Sequence, residues 1–189
     1  MKIILLLSLT LLLGNNIIND QKNNYYPLKI GSEWVYKTEG MGRYQLLNDT
    51  TKQEFYMRIV GDTILSGKKY FTIKNILNDF DKYEYKSYLR IDSSGNVREF
   101  KGSKENILFK FSSLNGESYH YNENYDVTVS RNINLETMVG NFTNCIKFHF
   151  SFHGYDGDVI YIFGPNIGLV LKSDSNRNIV IKNYQIIPQ

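Results

Sequence analysis

The sequence predicts an all-β protein: a single antiparallel meander curled into a barrel or half-barrel, with a β-sandwich as the alternative arrangement. Three observations carry this. The 189 residues include 15 Tyr and 11 Phe but no Ala. Ala is the strongest helix former, whereas aromatic and β-branched side chains suit a pleated surface. In the stretch 140–171, Ile146, Phe148, Phe150 and Phe152 alternate with Lys147, His149 and Ser151, the period of two that puts one strand face in a core and the other in water. Finally, turn-forming residues recur roughly every ten to fifteen positions, which suits hairpin-linked strands rather than βαβ units. An AT-rich coding sequence would explain the abundant Asn, but not the alternation.

The chain opens with Met1-Lys2 and an apolar run, Ile3–Leu13, broken only by Ser8 and Thr10. That is the layout of a secretory signal peptide, and it is shorter than the about 20 residues of a membrane-spanning helix. Leu12-Leu13-Gly14-Asn15 has the form of a bacterial lipoprotein signal with Asn15 where the acylated Cys would stand, so no lipid attachment is expected there. Residues 1–22 are therefore read as signal peptide and flexible lead-in, with the mature chain starting between Asn15 and Lys22. Residues 23–189 are read as a single all-β domain, exported to the periplasm or exterior without stable membrane insertion.

Beyond the polar lead-in to Asn24, Pro27 limits pairing and Gly31 permits a tight turn, so the first strand is expected at Glu33–Thr38. Gly40-Met41-Gly42 turns the chain into a strand at Arg43–Leu47. A polar break, Asn48–Lys52, precedes a long strand, Gln53–Leu65, with a bulge at Gly61-Asp62. Ser66-Gly67-Lys68 leads into Lys69–Leu77, and Asn78–Lys82 into Tyr83–Asp92. Ser93–Asn96 closes a hairpin with Val97–Lys101. Glu105–Ser112 alternates Ile107, Phe109 and Phe111 against Leu108 and Lys110, as a strand or one helical turn. Asn115-Gly116 is a strong turn signal, followed by strands at Tyr119–Tyr121 and Tyr125–Leu135. After the turn His153–Asp158, Val159–Phe163 returns as a strand. Gly164-Pro165-Asn166-Ile167-Gly168 reads as a corner, with re-entry at Leu169. Asp174–Asn178 turns into a last strand, Ile179–Ile187. The total is about eleven to thirteen strands, too many for one flat sheet.

Four short marks within these elements resemble those of a loose group of exported bacterial proteins, many of them lipoproteins. They are Pro-Leu-Lys-x-Gly-x-x-Trp-x-Tyr at Pro27–Tyr36, Tyr-Leu-x-x-Asp-x-x-Gly-Asn-Val at Tyr88–Val97, Gly-x-Phe-x-Asn-Cys-x-Lys at Gly140–Lys147, and Phe-x-Pro-x-Ile-Gly-Leu-Val at Phe163–Val170. The resemblance implies an antiparallel β fold and an envelope or extracellular location. It supplies no catalytic residues, and the missing lipoprotein Cys is the departure from the pattern. Gly31-Ser32-Glu33-Trp34 is also similar to the Gly-x-Trp mark of lipocalins, with a spacing one residue longer.

Little in the remaining sequence points to chemistry. A net charge of +3 without a Lys/Arg cluster argues against a nucleic-acid partner. The lone Cys145 excludes an internal disulfide and a Cys-rich zinc site, and is read as a buried small hydrophobe. In a regular strand it would share the polar face with His149, too far away for a thiolate–imidazole pair. His149 and His153 would lie about 13 Å apart at about 3.3 Å per residue, too far to share a metal, and His120 has no partner nearby in sequence. Asp156-Gly157-Asp158 is too poor in oxygen ligands for calcium. Asn48-Asp49-Thr50 and Asn141-Phe142-Thr143 match the glycosylation pattern by chance in so Asn-rich a chain. No catalytic, metal or cofactor-binding residue is assigned. The expectation is a non-enzymatic exported binding protein of the envelope or exterior that takes either a hydrophobic small molecule or an envelope partner; the aromatic excess reads first as a filled core of cross-strand pairs and second as the lining of a hollow interior that holds such a molecule. The alternative is a structural module that contacts an envelope protein through tyrosines such as Tyr83, Tyr85 and Tyr88, and a third reading is an enzyme of unrecognised type.

Overall fold

Alternating side chains become strand after strand in the computed structural model, which describes residues 24–40, 54–77, 84–137, 139–154, 157–174 and 177–187. Among these residues the elements are β1 (Glu33–Gly40), β2 (Glu54–Leu65), β3 (Lys68–Leu77), β4 (Glu84–Ile91), β5 (Val97–Lys101), β6 (Lys104–Phe109), β7 (Ser118–Asn122), β8 (Tyr125–Thr137), β9 (Gly140–Phe152), β10 (Val159–Gly164), β11 (Gly168–Asp174) and β12 (Arg177–Gln185), with no helix. Each strand pairs antiparallel with its sequence neighbour, except across the gap between β6 and β7, and β12 pairs back onto β1. This is an up-and-down meander nearly closed into a barrel, as the sequence led us to expect. The open seam lies between β6 and β7. There the Tyr119 hydroxyl donates to the Leu108 carbonyl at 3.0 Å and accepts from the Lys110 N–H at 3.3 Å.

Several local expectations are corrected. The β2 bulge falls at Val60, where pairing with β3 shifts between Ile59 and Gly61, immediately before the expected glycine. The Ile107-Phe109-Phe111 row does not share one face. Leu108 is an extra residue between the pairs Arg98↔Ile107 and Val97↔Phe109, so Ile107 stays beside Arg98 while Phe109 turns inward. The strand then ends at Phe109, and Phe111 is buried from a turn. Alternation also fails at Cys145, which is buried next to the equally buried Ile146. Asn144 takes a left-handed backbone (φ 56°), and the β8–β9 register slips between Ser130 and Leu135. The Gly164–Gly168 corner is a tight hairpin between β10 and β11, in which Gly164 pairs with Gly168. The expected strand at Arg43–Leu47, the turns at Met41-Gly42 and Asn78–Lys82, and the leader lie outside the described residues.

The interior is organised around Phe109. Its ring meets Phe148, Phe150, Tyr161 and Phe163 from β9 and β10 in tilted or edge-on pairs with centroids 4.6–6.0 Å apart. Edge-on geometry places the positive ring edge against a negative face. The segment before β1 plugs the barrel's interior. Tyr26 packs on Phe109 and Phe163, and Tyr25 stacks on Phe111 at 5.7 Å. Asn24 and Asn166 hold the plug through a 2.9 Å bond from the Asn166 N–H to the Asn24 carbonyl and a 3.1 Å bond from the Asn24 N–H to the Asn166 side chain.

Trp34 is fastened to the β10–β11 hairpin. Its indole N–H donates to the Ile167 carbonyl, and the Tyr36 hydroxyl donates to the Leu169 carbonyl. Gly168 has φ +100°, and a Cβ there would lie 3.2 Å from the indole nitrogen. Gly168→Val should therefore strain the backbone and push Trp34 at once. The expected loss is more than about 1 kcal/mol, read from urea unfolding followed by the fluorescence of the chain's only Trp; an unchanged midpoint would refute the hairpin geometry. In the same assay Phe109→Ala should lose about 3–5 kcal/mol, whereas Leu114→Ala should stay within about 0.5, because Leu114 is 74% exposed.

Candidate functional site

The inner faces of the strands do not fill the barrel. A cavity of about 370 Å³ remains between the two halves of the sheet. Its apolar walls come from Met57 on β2, Ile73 on β3 and Leu89 on β4, with Leu169 on β11 opposite. Aromatic walls come from the plug's Tyr26 and from Phe109, Tyr161 and Phe163. The sequence reading weighed a filled aromatic core against a hollow one. The structure has both: a packed cluster around Phe109 and a cavity beside it.

Among the polar side chains that turn into this space are Ser87 on β4, Glu99 on β5, Tyr121 on β7 and Lys172 on β11. Tyr121 spans the seam, its hydroxyl 3.4 Å from the Glu99 carboxylate. The Lys172 ammonium stands 5.8 Å from the centre of the Tyr161 ring, a cation–π distance. Burial pushes the Tyr26 phenol well above its usual range, and the Glu99 charge adds to it. Tyr161 is pushed up in the same way, by burial first and then by Tyr121, Glu99, Tyr125 and Asp174. Both phenols therefore stay protonated as donors. Sequence reasoning did not single out Glu99, Tyr121 or Lys172. Nothing marks them locally, because they meet only when β5, β7 and β11 are curled together.

His149 and His153 do not meet, as their spacing along a strand led us to expect; the His149 Nε2 lies 2.8 Å from the Asp158 carboxylate. His120, which lacked a neighbour in sequence, meets His153 instead. The two rings lie 6.1 Å apart, and Asp126 takes one on each carboxylate oxygen, at 3.0 and 3.1 Å. These bonds hold the Asp126 carboxyl below its usual range. All three histidines are at least partly exposed, and among the described residues no metal-ion cluster forms. Asp158 also accepts from the Phe152 N–H at 2.9 Å, and Asp156 is outside the described residues. Burial raises the Cys145 thiol to about 11, which disfavours the thiolate that nucleophilic chemistry needs. Of the three tyrosines considered as a contact face, Tyr88 is half-buried, Tyr83 lies outside the described residues, and the Tyr85 side chain is not described.

On the opposite face of β3 to β6, Glu105 gathers a charged network. Arg90 clamps it through Nε at 2.6 Å and Nη2 at 2.8 Å, Tyr70 donates to it, and Lys68 lies at 3.2 Å. The Arg98 guanidinium bridges from Glu105 to Asp92, at 3.5 and 2.8 Å. Asp92 in turn caps the β4–β5 turn by accepting from the N–H groups of Ser94 and Asn96. Every partner is engaged by another, which identifies a device for orienting strands rather than a site awaiting a ligand.

No family model and no curated protein matches the chain. Among solved structures, a predicted exported protein of Bacteroides fragilis NCTC 9343 with a YMCC-like fold is similar at 11% identity and a TM-score of 0.51, over 86% of this chain and 99% of that one. A predicted lipoprotein of Parabacteroides distasonis ATCC 8503 has 11% identity and a TM-score of 0.44 over the same shares. The first likeness is one of fold alone.

The Glu105 network carries a pH prediction. Hydrogen bonds from Arg90, then Tyr70 and Lys68, hold its carboxyl at about 2, below the usual 4.5. A depressed folded-state value contributes stability above the unfolded value and loses it as pH falls through the folded one. Wild type should therefore exceed Glu105→Gln in urea midpoint at pH 7, and the gap should close between pH 4.5 and about 2. A gap independent of pH would show that the network acts by packing alone.

Proposed function

We propose that this protein is an exported, non-catalytic binding protein that holds a small hydrophobic molecule inside its barrel. The observation that carries this is the cavity of about 370 Å³ walled by Met57, Ile73, Leu89 and the aromatic rings. Its size lies within the about 300–1,000 Å³ of small-molecule sites, and its make-up, mostly apolar with a few inward polar groups, is that of such sites. Export is supported by the apolar run Ile3–Leu13 behind Lys2, and the Bacteroides fragilis protein of similar fold carries the same expectation. The absence of catalysis is supported by the settled states of the candidate groups: a protonated, buried Cys145 and histidines already engaged by carboxylates.

Native mass spectrometry tests the reading. Protein expressed in a bacterium with its own leader and recovered from outside the cytoplasm should carry a small apolar molecule, lost on denaturation. Leu89→Trp, which fills the cavity, should abolish both that adduct and the uptake of the neutral dye N-phenyl-1-naphthylamine while leaving the far-ultraviolet spectrum unchanged. A wild-type protein with no adduct and no dye uptake would overturn the proposal.

A further inference from the structure

The charged groups around the cavity restrict what its occupant can be. Glu99 and Lys172 are the two opposite charges in the lining. Two residues along β11 from Lys172 stands Asp174, on the same inward face because successive strand residues alternate. Their cross-strand partners on β10, Tyr161 and Val159, lie in the same register. In the lining itself one carboxylate thus stands against one ammonium, on opposite halves of the sheet. Burial is the first cause that raises the Tyr26 and Tyr161 phenols; the Glu99 carboxylate is close enough to add to both, and Asp174 to Tyr161.

Glu99 shares the pocket with several aromatic side chains. Tyr121 touches the carboxylate, and Tyr26, Phe109 and Tyr161 line the same space. A carboxylate ringed by aromatic side chains is the arrangement that recognises an organic cation, through charge-assisted hydrogen bonding and cation–π attraction. Lys172 shows the second of these within the protein, its ammonium already over the Tyr161 ring. The apolar wall of Met57, Ile73 and Leu89 completes the pocket. An amphiphile would lay its tail there.

We infer that the ligand is a cationic amphiphile: an ammonium group held by Glu99 among the rings of Tyr26, Tyr121 and Tyr161, on an apolar body packed against Met57, Ile73 and Leu89. This inference rests on the cavity-binding reading and names the chemistry of its occupant.

Competition against N-phenyl-1-naphthylamine tests it with amphiphiles that share one dodecyl tail: dodecyltrimethylammonium, dodecanol and dodecanoate, each below its micelle concentration. Wild type should bind the ammonium compound about tenfold or more tighter than the alcohol, and the carboxylate most weakly. Glu99→Gln should lose that advantage while binding dodecanol as wild type does, which shows that the pocket still folds. Dodecylphosphocholine separates two sources of the same chemistry. Binding tighter than dodecyltrimethylammonium, with loss of the increment in Lys172→Met, supports a zwitterionic lipid headgroup, and weaker binding supports a simple amine; both retain the ammonium on Glu99. Equal binding of ammonium and alcohol, or tightest binding of dodecanoate, would overturn the inference and leave the cavity reading standing. If no dodecyl compound displaces the dye and no dye enters, both fail.

Discussion

One edge-strand side chain holds this barrel together where the backbone ladder does not. Strands β1 to β6 and β7 to β12 join by ladder at β1–β12, but between β6 and β7 the ladder stops. Phe109, at the end of β6, reaches across the interior to the rings of Phe148 and Phe150 on β9 and of Tyr161 and Phe163 on β10. Each aromatic pair adds about 0.5–1.5 kcal/mol beyond the area it buries, which is comparable to the net worth of a backbone hydrogen bond. The cluster thus substitutes for the missing pairing. It can do so only because Leu108 bulges: a regular β6 would leave Phe109 on the face of Ile107, beside Arg98.

Marks far apart in the chain meet at the plug. The early Pro27–Tyr36 mark binds the late Phe163–Val170 mark through Trp34 and Tyr36, and Pro27 lies 3.5 Å from the position a Gly168 Cβ would take. From the neighbouring plug residue Tyr25, the hydroxyl donates at 2.9 Å to the Asn144 carbonyl, inside the Gly140–Lys147 mark. The Tyr88–Val97 mark serves another purpose: Asp92 caps its turn, and the buried Asn96 accepts from the Ser112 N–H at 2.9 Å. These residues need their identities because each meets a defined backbone atom or leaves room for one. That accounts for their pattern without any catalytic role.

The strands were legible in the sequence because alternation and turn residues are local properties, and β5 at Val97–Lys101 has the expected bounds. Places where pairing slips were not legible. At Cys145 the chain adopts φ 56° on the preceding Asn144, and at Leu108 an extra residue enters the ladder; neither leaves a periodic trace. The His120–Asp126–His153 contact joins β7, β8 and the residue after β9, and it depends on the antiparallel register of these neighbouring strands. The plug was missed for a related reason. Tyr25 and Tyr26 precede a proline that bars them from a ladder, yet they bury their rings without one.

The candidate site depends on such a slip. Along a regular β11, Leu169 and Leu171 would face inward together and Lys172 outward, which is how the apolar pattern reads. Instead Phe163 pairs with Leu169 and Ile162 with Leu171, so Val170 is the extra residue. From that point every side chain changes face. Lys172, opposite Tyr161, enters the interior, and Leu171 leaves it. Lys172 is half-buried there, so turning it inward gives up part of its hydration, while Leu171 still packs against the edge of the core. The bulge sets Lys172 against Tyr161 and opposite the half of the sheet that supplies Glu99. Its effect is to add an ammonium to a cavity that already holds the Glu99 carboxylate.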